Sequence, residues 1–220
     1  MKETSQDLKS SLNTLIDEIS EKHRMHRKAQ FLLDIRGLLV INKLEGCYAE
    51  FGVYRGEMMY AAAKVLGQRI TKYLGFDTFE GLPEPEKNDE SIFVFEQVGF
   101  MKAPEDFVKD MMSGYPHALV KGDFRQPQVQ EEIHKSVGKD CISVLSLDCN
   151  WPSSVEASLD VSAPHLVSGS IVYFDDYYVG TRAGDYMKPI MEAFEKKHGM
   201  RFVDFKVYAP CARAFLIEKK

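Results

Sequence analysis

From residue 46 onward the chain is punctuated by short apolar runs, and each stops at a glycine or an acidic residue. Cys47-Tyr48-Ala49-Glu50-Phe51 reads as a strand stopping at Gly52, Ile70 to Phe76 stops at Asp77, and Ala118-Leu119-Val120 is followed by Gly122-Asp123. Ile142 to Leu147 stops at Asp148, and Ser170 to Phe174 stops at Asp175-Asp176. The segments between them, 57–66, 104–112, 126–137 and 154–166, have helical spacing, with Pro104 suited to a first turn and Pro164 disturbing a last one. A late helix is expected over 182–198, and 202–207 with 212–217 read as a closing antiparallel pair. Strands alternating with helices require a parallel sheet covered on both faces. The expected class is therefore α/β, a Rossmann-like, mostly parallel sheet of seven strands.

Ahead of this unit, Leu8, Leu12, Leu15, Ile16 and Ile19 recur at helical spacing over 5–21, and Phe31, Leu32, Ile35, Leu38 and Leu39 over 28–43. Residues 1–45 are thus expected to be an N-terminal helical extension and 46–220 the main domain. Between the two helices runs a basic stretch, Lys22, His23, Arg24, His26, Arg27 and Lys28. It reads as a solvated hinge or, more sharply, as an anionic contact near the mouth of a site. With 28 Lys+Arg against 33 Asp+Glu the net charge is −5, so no basic excess exists to neutralise phosphates and no nucleic-acid partner is expected. No apolar run approaches the roughly 18 residues of a membrane helix, and the polar start lacks a signal peptide's apolar stretch, so a cytoplasmic protein without a membrane partner is expected. The cysteines at 47, 141, 149 and 211 form no C-x-x-C pair and read as buried thiols of a reducing compartment rather than zinc ligands. The long segment 79–103, rich in Glu, Pro and Gly, reads as a lid or binding loop.

Ligands of an open α/β sheet bind beyond the carboxyl ends of its strands. After the first strand comes Glu50-Phe51-Gly52-Val53-Tyr54-Arg55-Gly56, a turn in which Gly52 and Gly56 let backbone approach a ligand. Asp77 can hold both hydroxyls of a ribose, and Gly122-Asp123-Phe124 offers an acidic acceptor and an aromatic wall for an adenine. Alone, the first turn is only a tight strand-to-helix connection; with the other two it points to an adenosine-type ligand. Tyr54 stands where the dinucleotide fingerprint has its middle glycine, which disfavours a pyrophosphate and favours S-adenosylmethionine. A nicotinamide-dependent oxidoreductase is the rival reading and leaves the acidic residues further along unexplained. Asp148, Asp175 and Asp176, at the ends of expected neighbouring strands, repel one another unless a cation or raised pKa values relieve them. Oxygen-only ligands favour Mg²⁺, then Mn²⁺ or Ca²⁺, with Asn150 available as a neutral ligand. The plainer alternative is that some of these aspartates cap helices or pair with Lys and Arg.

The strings Tyr48-Ala49-Glu50-Phe51-Gly52-Val53-Tyr54-Arg55-Gly56, Gly75-Phe76-Asp77-Thr78-Phe79-Glu80-Gly81-Leu82-Pro83, Lys121-Gly122-Asp123-Phe124, Leu147-Asp148-Cys149 and Phe174-Asp175-Asp176-Tyr177 together resemble the macrocin O-methyltransferase family (TylF/MycF type), whose members methylate deoxysugars on macrolides. The resemblance covers about 46–217. It implies a class I methyltransferase fold and S-adenosylmethionine held by Glu50, Phe51, Gly52, Val53, Tyr54, Gly56, Asp77, Thr78, Phe79, Gly122, Asp123, Phe124 and Asp148. It further implies Mg²⁺ or Mn²⁺ on Asp148, Asp175 and Asp176, and a small-molecule hydroxyl acceptor such as a natural-product sugar. Asp148 is the expected proton acceptor or orienting group and Tyr177 a positioning residue; a homodimer through the N-terminal helices is expected. Two departures stand out. Leu147-Asp148-Cys149-Asn150-Trp151-Pro152-Ser153 carries Asn150 where the family has a second carboxylate and Pro152 where it has Tyr, and no histidine lies in 79–103. These leave open a relative that binds the cofactor with altered or no turnover.

Overall fold

A computed structural model of the chain describes residues 14, 25–87, 89, 97–178, 187–208 and 211–219. Seven strands form one sheet in the order β3-β2-β1-β4-β5-β7-β6: β1 Gly46–Phe51, β2 Ile70–Asp77, β3 His117–Lys121, β4 Ile142–Leu147, β5 Leu166–Phe174, β6 Met200–Tyr208 and β7 Ala212–Lys219. The first five are parallel, and β7 runs antiparallel between β5 and β6. A helix over 25–41, α1, precedes them. The others are α2 Glu57–Leu66, α3 Glu105–Met111, α4 Pro127–Val137, α5 Pro152–Ser162 and α6 Lys188–His198. This is the sheet order of class I methyltransferases, and the expected α/β class holds. The helix expected over 5–21 lies outside the described residues except for Thr14, which is helical, and so does 182–186 of the late helix. Among the described residues no helix is long and apolar enough to cross a membrane.

Alternation along the buried strands sends side chains to two separate cores. Ala49, Phe51, Leu145, Leu147, Val172 and Phe174 face α4, α5 and α6. Tyr48, Val144, Ile171 and Tyr173 face α1, α2 and α3. Helix α1 is part of the second core: Phe31, Leu32, Ile35 and Leu39 are fully buried, and the Phe31 ring lies 4.3 Å from that of Tyr173 and 5.6 Å from that of Tyr208.

Two boundaries differ from the sequence reading for local reasons. Helix α5 starts two residues earlier than the expected 154, because Pro152 is its first residue, where a missing N–H costs nothing. Strand β5 starts at Leu166, well before 170, and it absorbs Gly169 at φ 95° through a shift in register against β4. Pro164 does end α5, in a single 3₁₀ turn.

Phe31→Ala should cost roughly 3–5 kcal/mol, the range for emptying a large aromatic site in a core. Urea denaturation checks this. A loss below about 1 kcal/mol would mean that α1 rests on the sheet without contributing to its core.

Candidate active site

Strand order reverses between β1 and β4, and this switch point opens a cleft at the carboxyl ends of the parallel strands. The cleft encloses about 770 Å³, including the space at its mouth. Of the expected cofactor residues, Glu50, Gly52, Val53, Tyr54, Asp77, Thr78, Asp123, Phe124 and Asp148 line it. Phe51, Gly56, Phe79 and Gly122 do not. Phe51 is a core ring, 4.6 Å from Phe76 and 5.1 Å from Phe124, and the other three shape the turns.

Gly52, at φ 84°, is where the first turn depends on glycine: a Cβ there would lie 1.9 Å from the Asp148 carbonyl oxygen. The Gly52 N–H donates to the Phe76 carbonyl and the Asp148 N–H to the Phe51 carbonyl, so the three strand ends are laced together. Asp77 holds the rim, accepting the Tyr54 N–H on Oδ2 and the Phe79 N–H on Oδ1, both at 2.8 Å. Asp123 lines the cleft while its carboxylate is held by Arg125, with Nη2 donating at 2.7 Å and Nε at 3.0 Å. Tyr177 lies apart from the cleft, buried among Phe174 and Phe215 with the Arg213 guanidinium 5.2 Å above its ring.

The two ends of the long loop meet under the cleft. Leu82 N–H donates to the Phe100 carbonyl and Gly99 N–H to the Leu82 carbonyl. Gly81 passes so close that a Cβ there would lie 2.4 Å from the Gly99 backbone. Higher up, Asp89 accepts the Ser153 N–H at 2.9 Å and its hydroxyl at 2.7 Å, so a loop carboxylate caps the first turn of α5. Trp151 Nε1 donates to the Pro83 carbonyl at 3.1 Å. Trp151 and Ser153, which flank the departure at Pro152, thus anchor this loop. Residues 88 and 90–96 of the expected lid lie outside the described residues.

Asp148, Asp175 and Asp176 converge as expected, each offering an oxygen within 4.8 Å of the others. The register carries them there: Phe51, Leu147 and Phe174 pair across β1, β4 and β5, and the acidic residues follow. What the basic stretch does was only half legible: its last two residues enter the site. Lys28 Nζ donates to Asp148 Oδ2 at 2.7 Å and lies 3.6 Å from Asp175 Oδ2. Arg27 Nη2 donates to Asp175 Oδ2 at 2.9 Å, and the Tyr173 hydroxyl donates to Asp175 Oδ1 at 2.9 Å. Met25 and Lys28 of α1 line the cleft. Burial disfavours the Lys28 ammonium, but Asp148 and Asp175 outweigh it and keep it charged. Burial acts against the Asp175 carboxylate too, and Lys28 and Arg27 overcome it and hold that group below its ordinary range. Burial, together with Asp148 and Asp175, pushes Asp176 up to about 8. Burial likewise pushes Glu50 up to about 8, against the Tyr48 hydroxyl hydrogen bond and the Lys28 charge.

Sheet order, switch-point cleft and acidic strand ends together define a class I methyltransferase. The model of the Macrocin-O-methyltransferase (TylF) family matches residues 14–207. The chain belongs to that family and is an S-adenosylmethionine-dependent O-methyltransferase. Among solved structures it is similar to CalS11, a calicheamicin methyltransferase, at 18% identity and a TM-score of 0.65, covering 98% of this chain and 94% of that one. The O-methyltransferase NovP is 14% identical with a TM-score of 0.64, covering 88% and 80%. CalS10 of Micromonospora echinaspora, an amino pentose methyltransferase, is 9% identical with a TM-score of 0.53, covering 93% and 97%. At these identities the likeness establishes the fold. No curated protein matches the chain.

Glu50 gives the site a pH signature. Its carboxyl keeps a proton in the folded chain up to about 8 but releases it near 4.5 when unfolded. The folded state therefore binds more protons between those values, and this group's contribution to stability is complete below 4.5 and is lost as pH rises through 8. Denaturation of the ligand-free protein across this window should show the decline, and Glu50→Gln should reduce its slope while leaving the share of Asp176, which is raised over the same range; an unchanged slope would place the titration elsewhere.

Proposed function

We propose that the chain transfers a methyl group from S-adenosylmethionine to a hydroxyl of a natural-product sugar. The observation that carries this is the juxtaposition of one cleft lined by Glu50, Asp77, Asp123 and Phe124, from successive strand ends, with Asp148 at its inner edge. CalS11 is described as a TDP-rhamnose 3'-O-methyltransferase, and a nucleotide-linked or glycosidic deoxysugar is the acceptor class we favour.

When bound, the cofactor supplies a methyl group already activated by its sulfonium charge. Asp77 binds the ribose hydroxyls, with Tyr54 and Thr78 beside it. Phe124 walls the adenine. Gly52 permits close approach of backbone to the amino-acid end, where Glu50 offers a carboxyl for the ammonium. The remaining task is to align the acceptor oxygen with the methyl group and to take its proton. Alignment supplies up to roughly 7–11 kcal/mol in well-oriented intramolecular reactions. Leu82, Pro83 and Met101, from the described ends of the long loop, wall the cleft and limit water at this step. Asp148 is the group we assign to orient the hydroxyl and receive its proton. Tyr177, from its place behind β5, is given no contact with the acceptor.

Oxygen-only donors within 4.8 Å of one another are the right chemistry for a hard divalent ion. Asp148, Asp175 and Asp176 would hold Mg²⁺ or Mn²⁺, which when bound lowers the pKa of an acceptor hydroxyl. The homodimer through the N-terminal helices remains part of the proposal and is checked by light scattering.

Asp77→Ala should weaken S-adenosylhomocysteine binding by about tenfold or more, since a ribose hydrogen-bonded by a charged carboxylate loses roughly 1.5–3 kcal/mol. Calorimetry measures this, and unchanged affinity would mean the ribose lies elsewhere. Incubating the enzyme with labelled S-adenosylmethionine and a panel of nucleotide-activated deoxysugars, glycosides and catechols tests the acceptor class. Labelled sugar is the expected product; labelled catechol alone, or cofactor binding without turnover on any acceptor, would overturn the reading.

A further inference from the structure

The acidic trio already has a cation, supplied by the chain. Lys28 is buried, with its side chain 8% exposed, and its ammonium rests on Asp148 Oδ2 at 2.7 Å and near Asp175 Oδ2 at 3.6 Å. The charged and titratable groups that face it come from every adjoining element. Arg27 lies beside it on α1, Glu50 on β1, Asp148 after β4, and Asp175 and Asp176 after β5. An ammonium is a compact point charge with donors only and no capacity to accept. It takes one oxygen of Asp148 and stands beside one of Asp175, two of the three carboxylates that a divalent ion would need at about 2.0–2.6 Å, and the two charges have the same sign. Ammonium and ion therefore compete for one seat.

We propose that Lys28 is the resident cation of this site, and that a divalent ion enters only by displacing it. The inference rests on the metal half of the reading above and leaves the cofactor half untouched. Its consequence is reciprocal: whatever the docked first turn of α1 takes from ion affinity, the bound ion takes from the docking of that turn. Because Met25 and Lys28 line the cleft, displacing Lys28 also moves a wall of the cofactor and acceptor space. Ion loading and the shape of the cleft are thus linked through one side chain.

The test is Mn²⁺ binding to the full chain, read from the free-ion resonance signal and repeated with Mg²⁺ by calorimetry. Lys28→Met should bind Mn²⁺ about tenfold or more tightly than the natural chain, within the usual range of a coupling between two sites. Lys28→Arg, which keeps the charge, should stay close to the natural chain. Lys135→Met removes a cation that pairs with Glu132 on the exposed side of α4, away from α1 and the trio, and should change nothing. If Lys28→Met does not fold, Lys28→Gln keeps a donor for Asp148 without the charge and is read in the same titration. Equal Mn²⁺ affinity in the natural chain and the neutral variants would overturn the proposal. So would an equal gain in Lys28→Arg or Lys135→Met, or no ion binding in any neutral variant. S-adenosylhomocysteine affinity, measured on the same samples, separates these failures from failure of the methyltransfer reading.

Discussion

Four carboxyl groups and two cations share one partly buried cluster at the ends of β1, β4 and β5, and the rest of the site is arranged around their mutual compensation. Glu50, Asp148, Asp175 and Asp176 repel one another at this partly buried edge of the cleft, which disfavours ionising all four. Arg27 and Lys28 balance Asp148 and Asp175, and burial keeps protons on Glu50 and Asp176 at neutral pH. Taking away one member of such a pair leaves an uncompensated charge, at a cost of about 3–5 kcal/mol. The cations come from α1, so this electrostatic balance depends on a helix that precedes the sheet in the chain. The same helix is held by Phe31, Leu32, Ile35 and Leu39 in the core. Hydrophobic burial thus fixes where the two charges sit.

The cleft has a second anchor at the start of α5. The segment that departs from the family pattern, Asn150-Trp151-Pro152-Ser153, begins α5 and ties the long loop to it. Pro152 opens the helix, the Trp151 indole reaches the Pro83 carbonyl, and Ser153 receives the Asp89 carboxylate. Arg125 joins this arrangement, donating to the Glu84 carbonyl at 2.9 Å while it holds Asp123. Asn150 itself sits at φ 56°, a conformation that asparagine tolerates better than most residues, and its side chain lines the cleft.

Much of this was legible in the sequence because strand ends announce themselves. An apolar run that stops at Asp77, Asp148 or Asp175 declares both a buried strand and the edge at which a ligand meets it. The convergence of Asp148, Asp175 and Asp176 followed from expecting β4 and β5 to be neighbours. Phe51, whose ring lies in the core and not along the cleft, could not be told from the lining residues beside it, because alternate positions along a strand point to opposite faces and a motif reads as one string. Tyr177 followed an acidic pair and looked like part of the site, yet its side chain turns into the aromatic cluster behind β5. The basic stretch was visible, but nothing local distinguishes a solvated lysine from one seated on carboxylates more than a hundred residues away.

The sequence by itself determined the order of strands and helices, the cleft at their carboxyl ends and the family to which the chain belongs, since hydrophobic periodicity and turn residues are local properties. The tertiary structure alone decided which charges meet. Lys28 finds Asp148, and Arg27 finds Asp175, only because α1 is drawn onto one face of the sheet by its apolar stripe. Asp89 finds Ser153 only because the two ends of a long loop are pinned together at Gly81 and Gly99. Coulomb interactions depend on distance in space and not on separation in the chain, so their pattern exists only once the hydrophobic core has set those distances.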